Sequence, residues 1–249
     1  MTSPPSWLTT LPERHAIGDS AARERRALDD PQVRENFRRF GALWKGKRKR
    51  GMEGIDFEGL RAQMKEAKRA VRDDFERTRA QFRNAATRAG WILHEAADAS
   101  GACDVVERLA RDAKVRLAIK SKSMVTEEIG LNERLARAGI PCVETDLGEW
   151  IIQLAGEHPS HIVAPAIHMN RRQVGELFEK ALGHPVSREA IPEMVALARR
   201  ELRRMFLEAG MGISGANALI ASTGSTMMVT NEGNGRLTTT LPPLQVVLA

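Results

Sequence analysis

The sequence predicts an α/β protein: a parallel sheet covered by helices on both faces, preceded by an N-terminal helical arm and carrying an extra β-hairpin. Three observations carry this reading. Before Gly90, apolar residues recur every three or four positions, the period of one helix face. After Gly90, short apolar runs alternate with helix-like segments. Beyond Gly210, runs of Val, Ile, Leu and Thr are punctuated by Gly, Asn and Ser, which reads as β-rich.

Taken in order, residues 1–90 form a leader and a basic helical arm. Asp30-Pro31 starts a helix, an N-cap followed by proline at the first helical position, expected to run to about Lys47 and to fail near Gly51 and Gly54. Asp56 caps a longer helix whose stripe is Phe57, Leu60, Met64, Ala67, Val71, Phe75, Thr78 and Phe82, ended by Gly90.

Residues 91–249 form the α/β domain. The expected strands are 91–94, 115–120, 140–145 and 161–164, alternating with helices over 99–112, 126–138, 147–155 and 170–182. A helix beginning at Ser187 or Pro192 closes at Gly210, and strands are expected over 216–221, 226–230, 236–241 and 244–248. Asn231-Glu232-Gly233-Asn234-Gly235 would turn a hairpin, because Asn-Gly tolerates positive φ. The last apolar run stops one residue before the chain ends, so the sequence is expected to be incomplete at its C-terminus.

Composition excludes several classes. No apolar run reaches the roughly 18 residues of a membrane helix, and the N-terminus lacks the basic and apolar regions of a secretory signal. Two cysteines, Cys103 and Cys142, cannot build a disulfide framework, and the cytoplasm is the expected compartment. The net charge of +6 is concentrated in residues 1–90, which hold 21 Lys/Arg against 13 Asp/Glu and peak at Lys45 to Arg50. Without interleaved aromatics or a nucleic-acid module, this run reads as a solvated helix end, and nucleic acid is not the expected partner.

Four motifs bear on chemistry. Gly210-Met211-Gly212-Ile213-Ser214-Gly215 matches a dinucleotide fingerprint in letters, but a helix precedes it and a strand follows, the reverse of what nucleotide binding needs. It reads as flexible entry into a strand. His158, His161 and His168 have no familiar metal-ligand spacing, though His168 would lie past a strand's carboxyl end, where open α/β sheets bind ligands. Lys120-Ser121-Lys122-Ser123 ends another strand and opens a helix, a place to hold a carboxylate or phosphate or simply to cap the helix. No P-loop is present, and a plain hairpin leaves Thr223-Gly224-Ser225 and the Glu232/Arg236 pair unexplained.

The segments 212–217, 220–225 and 229–236, together with Lys120 to Asn132, Val143 to Leu147 and Pro159 to His168, resemble the LUD domain of lactate-utilisation iron–sulfur proteins of the B type. The resemblance implies a Rossmann-type core similar to the NagB/RpiA/CoA-transferase superfamily. It also implies a cytoplasmic role beside other lactate-utilisation subunits, oxidising L-lactate to pyruvate. Its implied site is a cleft lined by Lys120, Lys122, His168, Thr223, Gly224, Ser225, Asn231, Glu232, Gly235 and Arg236, gripping a small anion such as lactate or pyruvate. Full-length relatives of this type are expected to carry [4Fe–4S] clusters in a further Cys-rich region; no cofactor is expected in this chain, and no catalytic residue is assigned. Ser222 stands where the family pattern leads one to expect Glu. Two other readings stay open: a stand-alone enzyme on a phosphosugar or CoA thioester, with Glu232 as nucleophile, and an adaptor using its basic arm.

Overall fold

The structure is a computed structural model that describes residues 5–12, 20–162, 164–183, 185–230 and 232–249. A one-turn helix, α1 (Ser6–Thr9), precedes α2 (Ser20–Asp29), α3 (Pro31–Gly51), α4 (Phe57–Asp73) and α5 (Phe75–Arg88). Asp30 caps α3 by accepting from the Gln32 and Val33 N–H groups, and the helix passes the expected end at Lys47 to reach Gly51. The single helix expected from Asp56 to Gly90 is two. Asp74 leaves helical geometry (φ −137, ψ 55). Its side chain pairs with Arg77 and its carbonyl accepts the Thr78 hydroxyl, so local polar bonds compete with the helix ladder.

The α/β part follows as α6 (Ala99–Asp112), β1 (Ala118–Lys120), α7 (Met124–Glu128), α8 (Leu131–Arg137), β2 (Cys142–Glu144), α9 (Leu147–Ala155), α10 (Arg171–Leu182), α11 (Ile191–Glu208), β3 (Met211–Gly215), β4 (Ala218–Ile220), β5 (Ser225–Met227), α12 (Asn234–Thr240) and β6 (Leu244–Leu248). Strands β2, β1, β3 and β6 lie side by side in that order and all run parallel. With flanking helices, this is the α/β class with a Rossmann-like parallel core that the alternating runs indicate. The expected helix over 126–138 is broken into α7 and α8 by Gly130, which sits in the left-handed region.

Side chains alternate across the sheet. Leu117, Ile119 and Val143 join one core with Trp7, Trp150, Phe178 and the buried face of α11. Ala118, Cys142, Met211 and Ile213 join a second core on the other face, with Val106, Leu131 and Leu135 from α6 and α8. Trp150 packs edge-on to Trp7 and tilted against Phe178, with ring centroids 5.6 and 5.3 Å away.

Several expected strands are absent. Residues 91–94 form no strand and Ile92 is exposed. Around 161–164 the described residues bend and turn, with the Ala164 N–H bonded to His161 Nδ1; Val163 lies outside the described residues. Gly210 to Gly215 is no flexible entry, because Met211–Gly215 is itself β3, inside the parallel sheet.

The hairpin lies earlier in the sequence than the expected pair of strands over 226–230 and 236–241. It is β4–β5, antiparallel, with Ile220 opposite Ser225 and the turn at 221–224. The expected Asn-Gly turn is instead the start of α12, where neither Asn234 nor Gly235 takes a positive φ. The expected strand over 236–241 is therefore helix. Tertiary contacts override the local turn signal: Thr238 is fully buried against Thr145, and Asn234 bonds to Thr145 as well.

The chain divides into two compact units. One comprises Met1–Arg23, His94–Asn217 and Met228–Ala249; the other, Glu24–Leu93 with Ala218–Met227. In the second unit Gly224 (φ +71) touches the α5 backbone, and a Cβ built there would lie 2.2 Å from the Ala86 nitrogen.

Candidate functional site at the carboxyl edge of the sheet

The sheet order contains one reversal. From β1 the chain crosses to β2 on one side, and then to β3 on the other. The carboxyl ends of β1 and β3 therefore flank a topological switch point, where open parallel sheets bind ligands. Lys120-Ser121-Lys122-Ser123 leaves β1 at this place, and Ser214-Gly215 ends β3.

Register explains the first charge cluster. Lys120 lies directly beside Glu144 on the neighbouring strand, so both side chains emerge on one face. The Lys120 ammonium is fully buried, donates hydrogen bonds to Glu127 Oε1 (2.6 Å) and Thr126 Oγ1 (3.1 Å), and forms an ion pair with Glu144 Oε1 (2.9 Å). Burial would depress its pKa, but the Glu144 and Glu127 carboxylates outweigh that and hold it above the ordinary lysine value. Asn132 Nδ2 adds a bond to Glu144 Oε1 (2.7 Å). Lys120 is thus committed to the fold.

Lys122 is differently placed. Its ammonium is buried and lies 2.9 Å from Glu149 Oε1, yet without the alignment of a hydrogen bond. Glu149, buried on α9, has its second oxygen without a hydrogen-bond partner. Desolvation raises its pKa; Lys122 opposes this, and the Glu144 charge adds to it. The pair is an unsaturated donor beside an unsaturated acceptor.

The other expected site residues are dispersed. His168 bonds through Nδ1 to Ser160 Oγ (2.5 Å) and through Nε2 to Glu157 Oε2 (2.7 Å), and among the described residues no bond ties this set to Lys120 or Lys122. The carboxylate requires a proton on Nε2, so in the neutral ring the Ser160 hydroxyl donates to Nδ1. Thr223, Gly224 and Ser225 form the β4–β5 turn, where Thr223 Oγ1 and Ser225 Oγ bond to one another; they belong to the unit that contains α5. Asn231 lies outside the described residues.

Glu232 does reach the edge. Its residue is exposed, but partial burial of the carboxyl raises the pKa, reinforced by Asp146 and opposed by the Leu147 backbone N–H. Gly235 is buried with its Cα face against Met228 and Thr230, while Arg236 is exposed on α12. No ion pair joins Glu232 to Arg236 among the described residues. Lys120, Lys122, Glu232 and Gly235 therefore belong to the sheet unit, with Arg236 pointing outward on its last helix.

Sequence reasoning missed the acids. Neither helix period nor strand composition assigned Glu127, Glu144 or Glu149 to the site. A carboxylate inside the run Ile140 to Thr145 was the available signal, because an unpaired charge is not buried there.

The chain's thiols do not fit an iron–sulfur cluster. Cys103 and Cys142 are both buried, and desolvation raises both pKa values, that of Cys142 to about 12. Cluster ligands are thiolates. Among the described residues, no group of three or more His, Cys, Asp or Glu is placed to hold a metal. The Cys142 shift has a pH consequence. Between the ordinary thiol value near 9 and about 12 the folded chain keeps a proton that the unfolded chain loses. Stability should fall across that window by up to about 1.4 kcal/mol per pH unit. Urea unfolding at pH 8, 9 and 10 checks this: the wild type should weaken from pH 9 to 10, and Cys142→Ala should show a shallower fall.

A sequence profile of the LUD domain matches residues 79–249, more than half of the chain. The chain belongs to the LUD domain family. This LUD domain is 45% identical over 150 residues to lactate utilization protein B of Oceanobacillus iheyensis, covering 60% of this chain and 31% of the relative. It is 46% identical over 166 residues to lactate utilization protein B of Bacillus subtilis (66% and 34%). It is 42% identical over 195 residues to the protein of that name from Bacillus velezensis (78% and 40%). The chain thus spans about a third of the length of the curated relatives it matches. No solved structure matches it significantly. No helix among the described residues is long and apolar enough to cross a membrane.

Proposed function

We propose that this LUD domain serves a cytoplasmic lactate-utilisation system, with other subunits, in the oxidation of L-lactate to pyruvate, and that its sheet edge holds the small carboxylate. Family membership and the relatives named lactate utilization protein B support the role. The observation that carries the site is the Lys122–Glu149 pair. A buried ammonium without an aligned acceptor suits a carboxylate, and a buried carboxyl oxygen without a donor suits a hydroxyl. A 2-hydroxy acid supplies both on adjacent carbons. Lys122 would anchor the carboxylate, and Glu149, whose pKa burial raises, would exchange a proton with the 2-hydroxyl. Oxidation to pyruvate also breaks the C2–H bond, which releases a second proton to solvent and two electrons. On this reading [4Fe–4S] clusters carried elsewhere in the system would accept the two electrons, one at a time.

Deleting the gene tests the role. The strain should fail on L-lactate as sole carbon source and grow on pyruvate; normal growth on lactate would overturn the assignment.

A further inference from the structure

We infer that the helical arm carries a docking groove for an acidic amphipathic helix of a partner protein, seated on the apolar strip between the end of α3 and the length of α4. The groove is an open surface depression of about 820 Å³ lined by eleven residues from Gly51 to Arg72. That volume accepts several apolar side chains. Its floor is Met52, Ile55, Phe57, Leu60 and Met64, with Leu60 51% and Met64 62% exposed. Such apolar positions on a helix ordinarily face a core, yet α3 and α4 contain no buried residue.

The choice of occupant rests on charge. The lining holds five cations, Arg61, Lys65, Lys68, Arg69 and Arg72, and no acid. Arg61, Arg69 and Arg72 pair with Glu58, Glu66 and Asp73 on their own helix. Lys65 and Lys68 make no ion pair among the described residues. A second copy would set the same cations against each other, which disfavours self-pairing. An anionic bilayer would meet the same cations, and the vesicle arm of the test below separates it from a partner helix. The cations follow helical spacing from 61 to 72, a span of about 16 Å at 1.5 Å per residue. A partner helix with Glu or Asp at i, i+4 and i+7 beside an apolar stripe meets both features.

The test uses the full chain and a fluorescent 18-residue peptide with Leu on one helical stripe and Glu flanking it. Controls are a scrambled peptide of the same composition, a version with Lys replacing Glu, and phosphatidylglycerol vesicles. The acidic peptide should bind saturably, and Lys65→Glu/Lys68→Glu should weaken it at least tenfold with helicity by circular dichroism unchanged. Equal binding of the scrambled or Lys peptide, no effect of the charge reversal, or no peptide binding at all would overturn the inference. So would vesicle binding in place of peptide binding, or a concentration-dependent dimer in light scattering that excludes the peptide.

Discussion

Replacing Lys120 with methionine is expected to lower the unfolding free energy by about 3–5 kcal/mol, the cost of removing one member of a buried ion group. The reason is what stays behind. Glu144 is fully buried and shares its Oε1 between Lys120 and Asn132, while its other oxygen already lacks a partner. Without the ammonium, Glu127 and Glu144 face each other as like charges in a low dielectric. Methionine fills the volume, so little of the loss comes from a cavity. Adding Glu144→Gln to Lys120→Met removes one orphaned charge and should restore a good part of the stability. Urea denaturation of the wild type, the single and the double variant measures this. A loss below about 1 kcal/mol would mean that the network does not hold the edge of the sheet.

Gly212→Ala is the second large effect. Gly212 is paired with Ile119 across the sheet, on the face covered by α12. A Cβ there would lie 2.0 Å from the Thr238 carbonyl oxygen and 2.9 Å from Gln245 Oε1. Backbone cannot yield as a side-chain tip does, so α12 must lift from β3. Overpacking of this kind costs about 3 kcal/mol. The lift would also break the Thr145–Thr238 and Thr145–Asn234 bonds (3.2 and 3.3 Å), which hold α12 to the end of β2. Hydrogen exchange should therefore show amides of α12 losing protection in the variant while α6 keeps its own; an unchanged midpoint and exchange pattern would contradict the packing described. The glycine thus answers to a close helix approach, and its resemblance to a nucleotide fingerprint is a coincidence of letters.

Legibility followed the range of the interaction. Helices α6, α9 and α10 and strand β6 lie where period and caps place them, because Asp98, Asp146 and Asn170 act locally on the N–H groups ahead of them. The Lys120 and Lys122 positions were legible for the same reason, as polar residues at the end of an apolar run. What failed depended on distant partners. Asn234-Gly235 carries a strong turn signal but folds as helix against Thr145, 89 residues away. Residues 91–94 have strand composition but no neighbour to pair with, and the expected single cleft drew on residues that the chain divides between two units. The acids Glu127, Glu144 and Glu149 gain their meaning only from the strand register that sets Lys120 beside Glu144.

Titration calorimetry with L-lactate on wild-type protein, Lys122→Ala and Glu149→Gln tests the Lys122–Glu149 pair directly. A single saturable site is expected in the wild type, at least tenfold weaker in Lys122→Ala, with Glu149→Gln retaining affinity for the hydroxyl-free acid propionate better than for lactate. Equal binding by wild type and Lys122→Ala, or no binding by the wild type, would contradict it.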